Sequence, residues 1–184
     1  MNYNIILASQ STIRRNLLEN TGIKFKAVKS DFNETKLQNT FNGKDCSIQD
    51  VENLVRELSY LKAKIVSEKR PKKLIIGCDQ ILFFKERILN KPVNFKESFE
   101  QLKNLNGENH KLITATTCVK DSKKVWSYVS VQDMLMRKLS DKYIKNYMKQ
   151  IGDDLLSVLG GYEIEGIGIN LFESIGDDLF SIQG

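Results

Sequence analysis

The chain has 184 residues, of which 41% are hydrophobic and 28% are charged, a composition typical of a globular protein with one substantial core. The net charge of +5 is spread along the chain without a long basic run, which argues against a nucleic-acid binder. No apolar run approaches the roughly 20 residues that a membrane-spanning helix needs, and the N-terminus lacks the regions of a secretory signal, so we expect a cytoplasmic protein.

The cysteine and histidine content argues against a structural zinc site. Cys46, Cys78 and Cys118 are widely spaced and form no CxxC pair, and the chain has a single histidine. An odd, sparse set of cysteines fits reduced thiols. Cys78 and Cys118 lie in apolar runs and are predicted to be small core residues.

The first predicted elements are a strand, a hydroxyl-rich turn and a short helix. The apolar run Ile5–Ala8 ends in Ser9-Gln10-Ser11, and the following helix carries Arg14 in its first turn and ends at Gly22. A helix N-terminus offers unpaired N–H groups and a positive dipole end, so the turn suits a phosphate group. The alternative is that Ser9 or Ser11 only caps the helix. The chain contains no P-loop sequence.

The next predicted elements alternate between helix and strand. Apolar residues at helical spacing predict a long helix over 47–68. A short buried strand over 74–78 leads into Asp79-Gln80, and 81–89 is predicted to be a hairpin or a bent strand. Residues 95–105 are predicted to be helical.

The C-terminal half predicts a more hairpin-like arrangement. Two long strands over 111–119 and 125–137 are joined by a polar turn, and a helix runs from its N-cap Ser140 to about residue 149. An irregular loop begins at Gly160, and a strand follows over 167–175. We therefore predict one α/β domain over 1–184, with a mixed, twisted sheet flanked by helices.

Two charged residues stand out from the local pattern. Asp79 follows the apolar run LIIGC, and a carboxylate just past the end of a buried strand lies where open α/β sheets place their ligands. The alternative is an aspartate that only forms a turn. Lys91 precedes Pro92, whose ring restricts the backbone around the lysine, although a solvated lysine is the alternative.

Several ordered blocks together resemble the Maf family of nucleoside triphosphate pyrophosphatases. They run from residue 5 to residue 184 and include ILASQSTIRRNLL, DFNET, the Lys62-Ala63 pair, GCDQI, NKP and GYEIEG. The resemblance implies a fold similar to that of inosine triphosphatase. It also implies hydrolysis of a nucleoside triphosphate to the monophosphate and pyrophosphate.

The resemblance also implies roles for individual residues. Asp79, Glu34 and Lys91 are expected to act in catalysis, with Asp79 as general base and with Asp79 and Glu34 holding Mg²⁺ or Mn²⁺. The remaining triphosphate-binding residues are expected to be Ser9, Arg14 and Lys62.

Gln80 and Glu165 are expected to select the base. They stand where the branch selecting thymidine and uridine triphosphates has threonine and glutamine, and the pair resembles the branch acting on 7-methyl-GTP. A buried Glu165 would accept hydrogen bonds from the N1–H and the exocyclic amine of guanine. Ile13 departs from the bulky aromatic residue that this branch often has, which leaves the base preference open.

The alternative function is a non-catalytic nucleotide-binding regulator, because some family members are associated with cell division and septum formation. Asp79 and Glu34 argue against it, since a pure binder gains little from acids beside a polyphosphate. We expect a nucleoside triphosphate as ligand, with no nucleic-acid or membrane partner, and the sequence leaves a homodimer open.

Overall fold

The computed structural model describes residues 4–34, 37, 40–41 and 44–184. The strands are β1 (Ile5–Leu7), β2 (Phe25–Ala27), β3 (Leu74–Phe84), β4 (Arg87–Leu89), β5 (Asn109–Lys120), β6 (Lys123–Met136) and β7 (Phe172–Ile175). The α-helices are α1 (Thr12–Asn20), α2 (Ile48–Glu68), α3 (Phe95–Leu105), α4 (Asp141–Ile151) and α5 (Leu179–Gln183). Short 3₁₀ helices span Gly152–Leu156, Leu159–Gly161 and Ile167–Leu171. Among the described residues, none of the helices has the length and apolar character to span a bilayer.

The strands form one sheet of mixed direction. Their order is β2-β1-β3-β5-β6-β7, and β4 pairs with β3 outside this path. β1 is parallel to both β2 and β3, whereas β4 is antiparallel to β3 and β7 is antiparallel to β6. The predicted mixed α/β sheet with helices is therefore confirmed.

Side-chain caps fix where the longer helices begin. In each of α1, α2, α3 and α4 the side chain of the N-cap residue accepts a hydrogen bond from the backbone N–H three residues further on. These N-cap residues are Ser11, Ser47, Asn94 and Ser140, respectively. In α2, Asp50 also accepts the backbone N–H of Ser47, which completes a capping box. These caps place the predicted helices over 47–68, 95–105 and 140–149 within two residues of their observed bounds.

The chain divides into two compact units. The first comprises the described residues of 1–80 together with 113–130 and Gly184, and the second comprises Ile81–Leu112 and Val131–Gln183. The prediction of one domain over 1–184 stays a prediction.

In the first unit, α2 packs directly on β3. A Cβ built at Gly77 of β3 would lie 2.2 Å from the backbone oxygen of Ser59 in α2, so only glycine allows this approach. Around this contact lies a small apolar core formed by Ile6, Ala8, Ala63, Val66, Ile75 and Val119. The close packing sets the position of α2 relative to the strand that carries Asp79.

The second unit has its own, larger core. It is built mainly from leucine, methionine and aromatic side chains, among them Leu82, Leu102, Leu105, Met134, Met136 and Leu155. The single histidine, His110, lies in this unit, and its Nε2 is hydrogen-bonded with the Tyr162 hydroxyl at 2.7 Å. Burial lowers the pKa of His110 to about 4, so the imidazole is neutral and structural.

Two predicted boundaries are wrong. Asp79 does not follow the end of a strand, because β3 continues from Leu74 through to Phe84, and the apolar run Ile81–Phe84 contains no residue that breaks a strand. The strand predicted over 167–175 begins only at Phe172. Residues 167–171 form a 3₁₀ helix instead, folded so tightly that a Cβ at Gly168 would lie 2.3 Å from the Glu163 oxygen.

Candidate active site

The turn after β1 uses its hydroxyl groups to organise the start of α1. Ser9 Oγ accepts the backbone N–H of Ser11 at 3.2 Å, and Ser11 Oγ accepts the backbone N–H of Arg14 at 3.3 Å. Ser11 is therefore the N-cap residue of α1, the role that the sequence allowed for either Ser9 or Ser11. Both hydroxyl groups keep a proton that can be donated outward, since in these bonds each acts as acceptor.

Arg14 links this turn to the strand that carries Asp79. Its Nη1 donates to the Cys78 carbonyl at 2.9 Å, and its Nε donates to the Gly184 carbonyl at 3.0 Å. A guanidinium has five N–H donors, and these bonds use two of them. The side chain is thus fixed in place next to Asp79 and contributes positive charge there.

A buried lysine lies between two carboxylates. Lys62 Nζ is 2.8 Å from Glu34 Oε1 and 3.1 Å from Asp79 Oδ1. The side chains of Lys62 and Asp79 are only 10% and 8% exposed, whereas that of Glu34 is 37% exposed. Ser30 Oγ donates to the Lys62 carbonyl at 3.2 Å, which ties the segment leading to Glu34 to α2.

Asp79 is the most perturbed carboxyl of this cluster. Burial raises its pKa above the ordinary value, the ammonium of Lys62 opposes this rise, and the negative charge of Glu34 adds to it. Its Oδ1 accepts hydrogen bonds from Lys62 and from the Gln80 backbone N–H. Its Oδ2 is buried and has no hydrogen-bond partner among the described residues. A buried acceptor of this kind is rare unless a ligand completes it.

Gln80 is held next to Asp79 by the neighbouring strand. Its Nε2 donates to Thr114 Oγ1 of β5 at 2.9 Å, so the side-chain amide has a defined orientation. Thr114 is one of the residues that the sequence does not single out as part of the site.

Lys91 and Glu165 belong to the second unit. Lys91 lies between β4 and α3, and its side chain is exposed. Glu165 lies in the turn before the 3₁₀ helix Ile167–Leu171 and is also exposed. Glu165 is therefore not fully buried, although partial burial raises the pKa of its carboxyl. Its role in selecting a base stays a prediction.

The donor set decides which kind of metal the cluster fits. No group of three or more histidine, cysteine, aspartate and glutamate side chains suited to a metal occurs among residues 4–34, 37, 40–41 and 44–184. Two carboxylates with one unpartnered oxygen fit Mg²⁺ or Mn²⁺, since Mg²⁺ in proteins typically takes one or two carboxylates and completes its shell with water and substrate phosphates. They do not fit a zinc-type centre.

The structure thus brings six of the residues singled out from the sequence into one unit: Ser9, Arg14, Glu34, Lys62, Asp79 and Gln80. The partners that hold these residues, namely Ser30, Thr114 and the Cys78 carbonyl, carry no signal in the sequence. Gly77 does carry one, because an isolated glycine inside a strand is a recognisable sign of a close approach.

Comparisons with known proteins agree on one family. The model of the family described as Maf-like protein matches residues 4–184. A 7-methyl-GTP pyrophosphatase from Brucella abortus biovar 1 (strain 9-941) is 37% identical over 184 residues, which are 100% of this chain and 91% of that protein. A nucleoside triphosphate pyrophosphatase from Rhodopseudomonas palustris (strain BisB18) is 36% identical over 180 residues, covering 98% of this chain and 87% of that protein.

A solved structure gives a weaker similarity. The nucleoside-triphosphatase, a dITP/XTP pyrophosphatase, from Mycobacterium abscessus matches with a TM-score of 0.41 and 13% identity over 72% of this chain and 73% of that chain.

Proposed function

This chain belongs to the Maf family, and from that premise we propose that it hydrolyses a nucleoside triphosphate between the α- and β-phosphates. Water attacks the α-phosphorus, the bond to the bridging oxygen breaks, and pyrophosphate leaves. The products are a nucleoside monophosphate and pyrophosphate. Relatives at 36–37% identity over nearly the full chain carry pyrophosphatase names, which supports this activity.

The observation that carries the proposal is the state of Asp79. Its Oδ2 is buried without a partner, and burial raises the pKa of the carboxyl above its ordinary value. A general base works best when its pKa is raised towards the working pH, because it then takes a proton more readily. We assign Asp79 Oδ2 as the atom that accepts the proton of the attacking water.

The cations around Asp79 bind the triphosphate and offset the charge that develops in the transition state. Lys62 is buried and placed by α2, and Arg14 is fixed by the Cys78 and Gly184 carbonyls, so both bring their charge to the site already oriented. Ser9 offers its hydroxyl proton to a phosphate oxygen. Lys91 is assigned to the same task on the strength of the family resemblance alone.

Glu34 and Asp79 are the residues that would hold the divalent cation. When bound, Mg²⁺ or Mn²⁺ supplies charge neutralisation of the phosphate oxygens. Glu34 is partly exposed and lies on the segment anchored by Ser30, so it can adjust as the phosphates enter. The ammonium of Lys62 provides positive charge between the two carboxylates.

We assign the reading of the base to Gln80 and Glu165, with 7-methyl-GTP as the substrate. Gln80 is oriented by Thr114 next to Asp79, and relatives from Brucella and Bartonella carry the name 7-methyl-GTP pyrophosphatase. Glu165 is exposed, so its carboxylate is accessible to the N1–H and the exocyclic amine of a guanine base.

The state of the cysteines supports a location for the enzyme. All three are free thiols, the state that a reducing compartment maintains, and we place the enzyme in the cytoplasm.

The alternative function, a non-catalytic regulator of cell division, gains no support from the relatives named above, because they carry enzyme names.

Replacing Asp79 by asparagine tests the assignment of the base. Asp79→Asn keeps the shape of the side chain but cannot accept the proton, so kcat should fall by about 10²–10⁴-fold, while nucleotide binding measured by calorimetry persists. The matched control is Asp133→Asn, which removes an exposed carboxylate that pairs with Lys111 and should leave kcat unchanged. A kcat within threefold of the parent in Asp79→Asn would remove Asp79 from the role of base.

A further inference from the structure

A cleft in the second unit is lined by none of the residues assigned to the reaction. It has a volume of about 750 Å³ and is formed by residues of α3 and α4. Its lining includes Phe95, Phe99 and Met148 together with Lys142, Lys145 and Lys149. None of the residues proposed for catalysis or triphosphate binding is among them.

The charge of the cleft is of one sign. Four of its lining residues are lysines, and within the described part of the chain no aspartate or glutamate lines it. Lys142, Lys145 and Lys149 follow one another at spacings of three and four along α4, which places them on the same helix face. Ammonium groups gathered in this way repel one another, so an anion in the cleft relieves that repulsion.

The floor of the cleft is aromatic. Phe95 is 44% exposed, which is unusual for a phenylalanine on a helix that otherwise packs into a core. Phe99 lies deeper, with Lys145 Nζ 5.4 Å from its ring centroid. Met148 adds a flexible apolar surface beside the two rings. The cleft therefore combines an aromatic floor with a cationic rim.

We propose that this cleft binds a small aromatic anion, a flat ring that carries a phosphate, sulfonate or carboxylate group. The ring stacks on the exposed face of Phe95, and the anionic group is bound by Lys142 and Lys149. The volume lies within the range of about 300–1,000 Å³ that small-molecule sites occupy. This site is distinct in its residues from the proposed triphosphate site and adds a second ligand to the protein.

The test uses two probes of similar shape and different charge on the full chain. 8-Anilinonaphthalene-1-sulfonate is an aromatic anion, and N-phenyl-1-naphthylamine is its neutral counterpart. Fluorescence titration at low salt gives the affinity of each probe, and ¹H–¹⁵N NMR spectra show which backbone amides respond. We expect the anion to bind more tightly than the neutral probe and to shift amides of α3 and α4.

The variants separate charge at the cleft from charge in general. Lys142→Gln with Lys149→Gln should weaken the anion by about tenfold or more, whereas Lys120→Gln with Lys123→Gln, which removes the same charge from two exposed positions, should change it by less than twofold. Phe95→Ala should weaken both probes. Equal affinities for the two probes, equal effects of the two double variants, or amide shifts outside α3 and α4 would each overturn the proposal.

Competition against the bound probe identifies the source of the ligand. Displacement by a nucleoside monophosphate or by an aromatic carboxylate supports the proposal and names the anionic group. Displacement by a single-stranded oligonucleotide without displacement by either small anion would overturn it in favour of a nucleic-acid surface.

Discussion

Removing the ammonium of Lys62 should destabilise the protein in a manner that depends on pH. In Lys62→Met the apolar part of the side chain is kept, but Asp79 and Glu34 lose the cation that lies 3.1 and 2.8 Å from them. Breaking a buried pair by removing one partner typically costs about 3–5 kcal/mol, because the other charge stays buried without compensation. Glu34 is 37% exposed and is stabilised by water, so we assign the cost to Asp79.

The pH dependence follows from the raised pKa of Asp79. A carboxyl whose pKa is higher in the folded than in the unfolded chain binds protons more tightly when folded, so stability falls as pH rises from the ordinary value of 3.8 through the folded pKa. The ammonium of Lys62 lowers the pKa of Asp79. Without this ammonium, the pH range over which stability falls therefore extends to higher pH. The cost of Lys62→Met should therefore be larger at pH 8 than at pH 5, because the raised pKa lets the orphaned carboxyl take a proton more readily as pH falls.

Urea denaturation at pH 5 and pH 8 measures the free energy of unfolding of each variant and how that free energy depends on pH. The matched control is Lys69→Met near the end of the same helix, where the ion pair with Asp31 is exposed and its loss should leave the free energy of unfolding nearly unchanged. In the double variant Lys62→Met with Asp79→Asn, no charge is left buried at position 79, and most of the cost at pH 8 should disappear. An equal cost of Lys62→Met at both pH values, or a double variant less stable than the single one, would show that the cost does not come from a buried charge on Asp79.

The remaining predictions concern activity, packing and specificity. The rise of kcat/KM with pH should reflect deprotonation of Asp79 at a pKa above 3.8. In Lys62→Met this rise should move to higher pH, and an unshifted rise would contradict the assignment of Asp79 as the general base. Gly77→Ala should destabilise the fold by about 1–3 kcal/mol, because its Cβ meets the Ser59 oxygen, whereas Gly166→Ala, which meets nothing within 4 Å, should be neutral in thermal unfolding. Glu165→Gln with Gln80→Thr should raise kcat/KM for thymidine triphosphate relative to 7-methyl-GTP, and a higher value for thymidine triphosphate already in the parent would exclude the guanine preference.

Local signals in the sequence were sufficient to place most elements. The helix over 47–68 has an apolar stripe and a capping box, and both are properties of neighbouring residues. The hairpin between β5 and β6 was recognisable from its polar turn, where Asp121 and Ser122 adopt positive φ values of 50° and 62°. The strand predicted over 167–171 is wrong because alternating isoleucine and glycine residues fit a strand as well as a 3₁₀ turn.

The arrangement of the site could be foreseen only in part. The turn after β1 and the family resemblance identified Ser9, Arg14, Lys62 and Asp79, but no local pattern shows that Lys62 lies between Asp79 and Glu34. That contact depends on the close approach of α2 to β3 at Gly77, a tertiary feature. The basic and aromatic cleft was missed for the same reason, since Phe95 and Lys149 are separated by more than fifty residues.

The fate of the oxygen atom of water shows which phosphorus the water attacks. Hydrolysis is run in H₂¹⁸O with 7-methyl-GTP and, separately, with GTP, and the products are separated by anion exchange and weighed by mass spectrometry. Attack at the α-phosphorus gives nucleoside monophosphate carrying one ¹⁸O atom and pyrophosphate carrying none. Nucleoside diphosphate with orthophosphate, or pyrophosphate that carries the label, would contradict attack of water at the α-phosphorus.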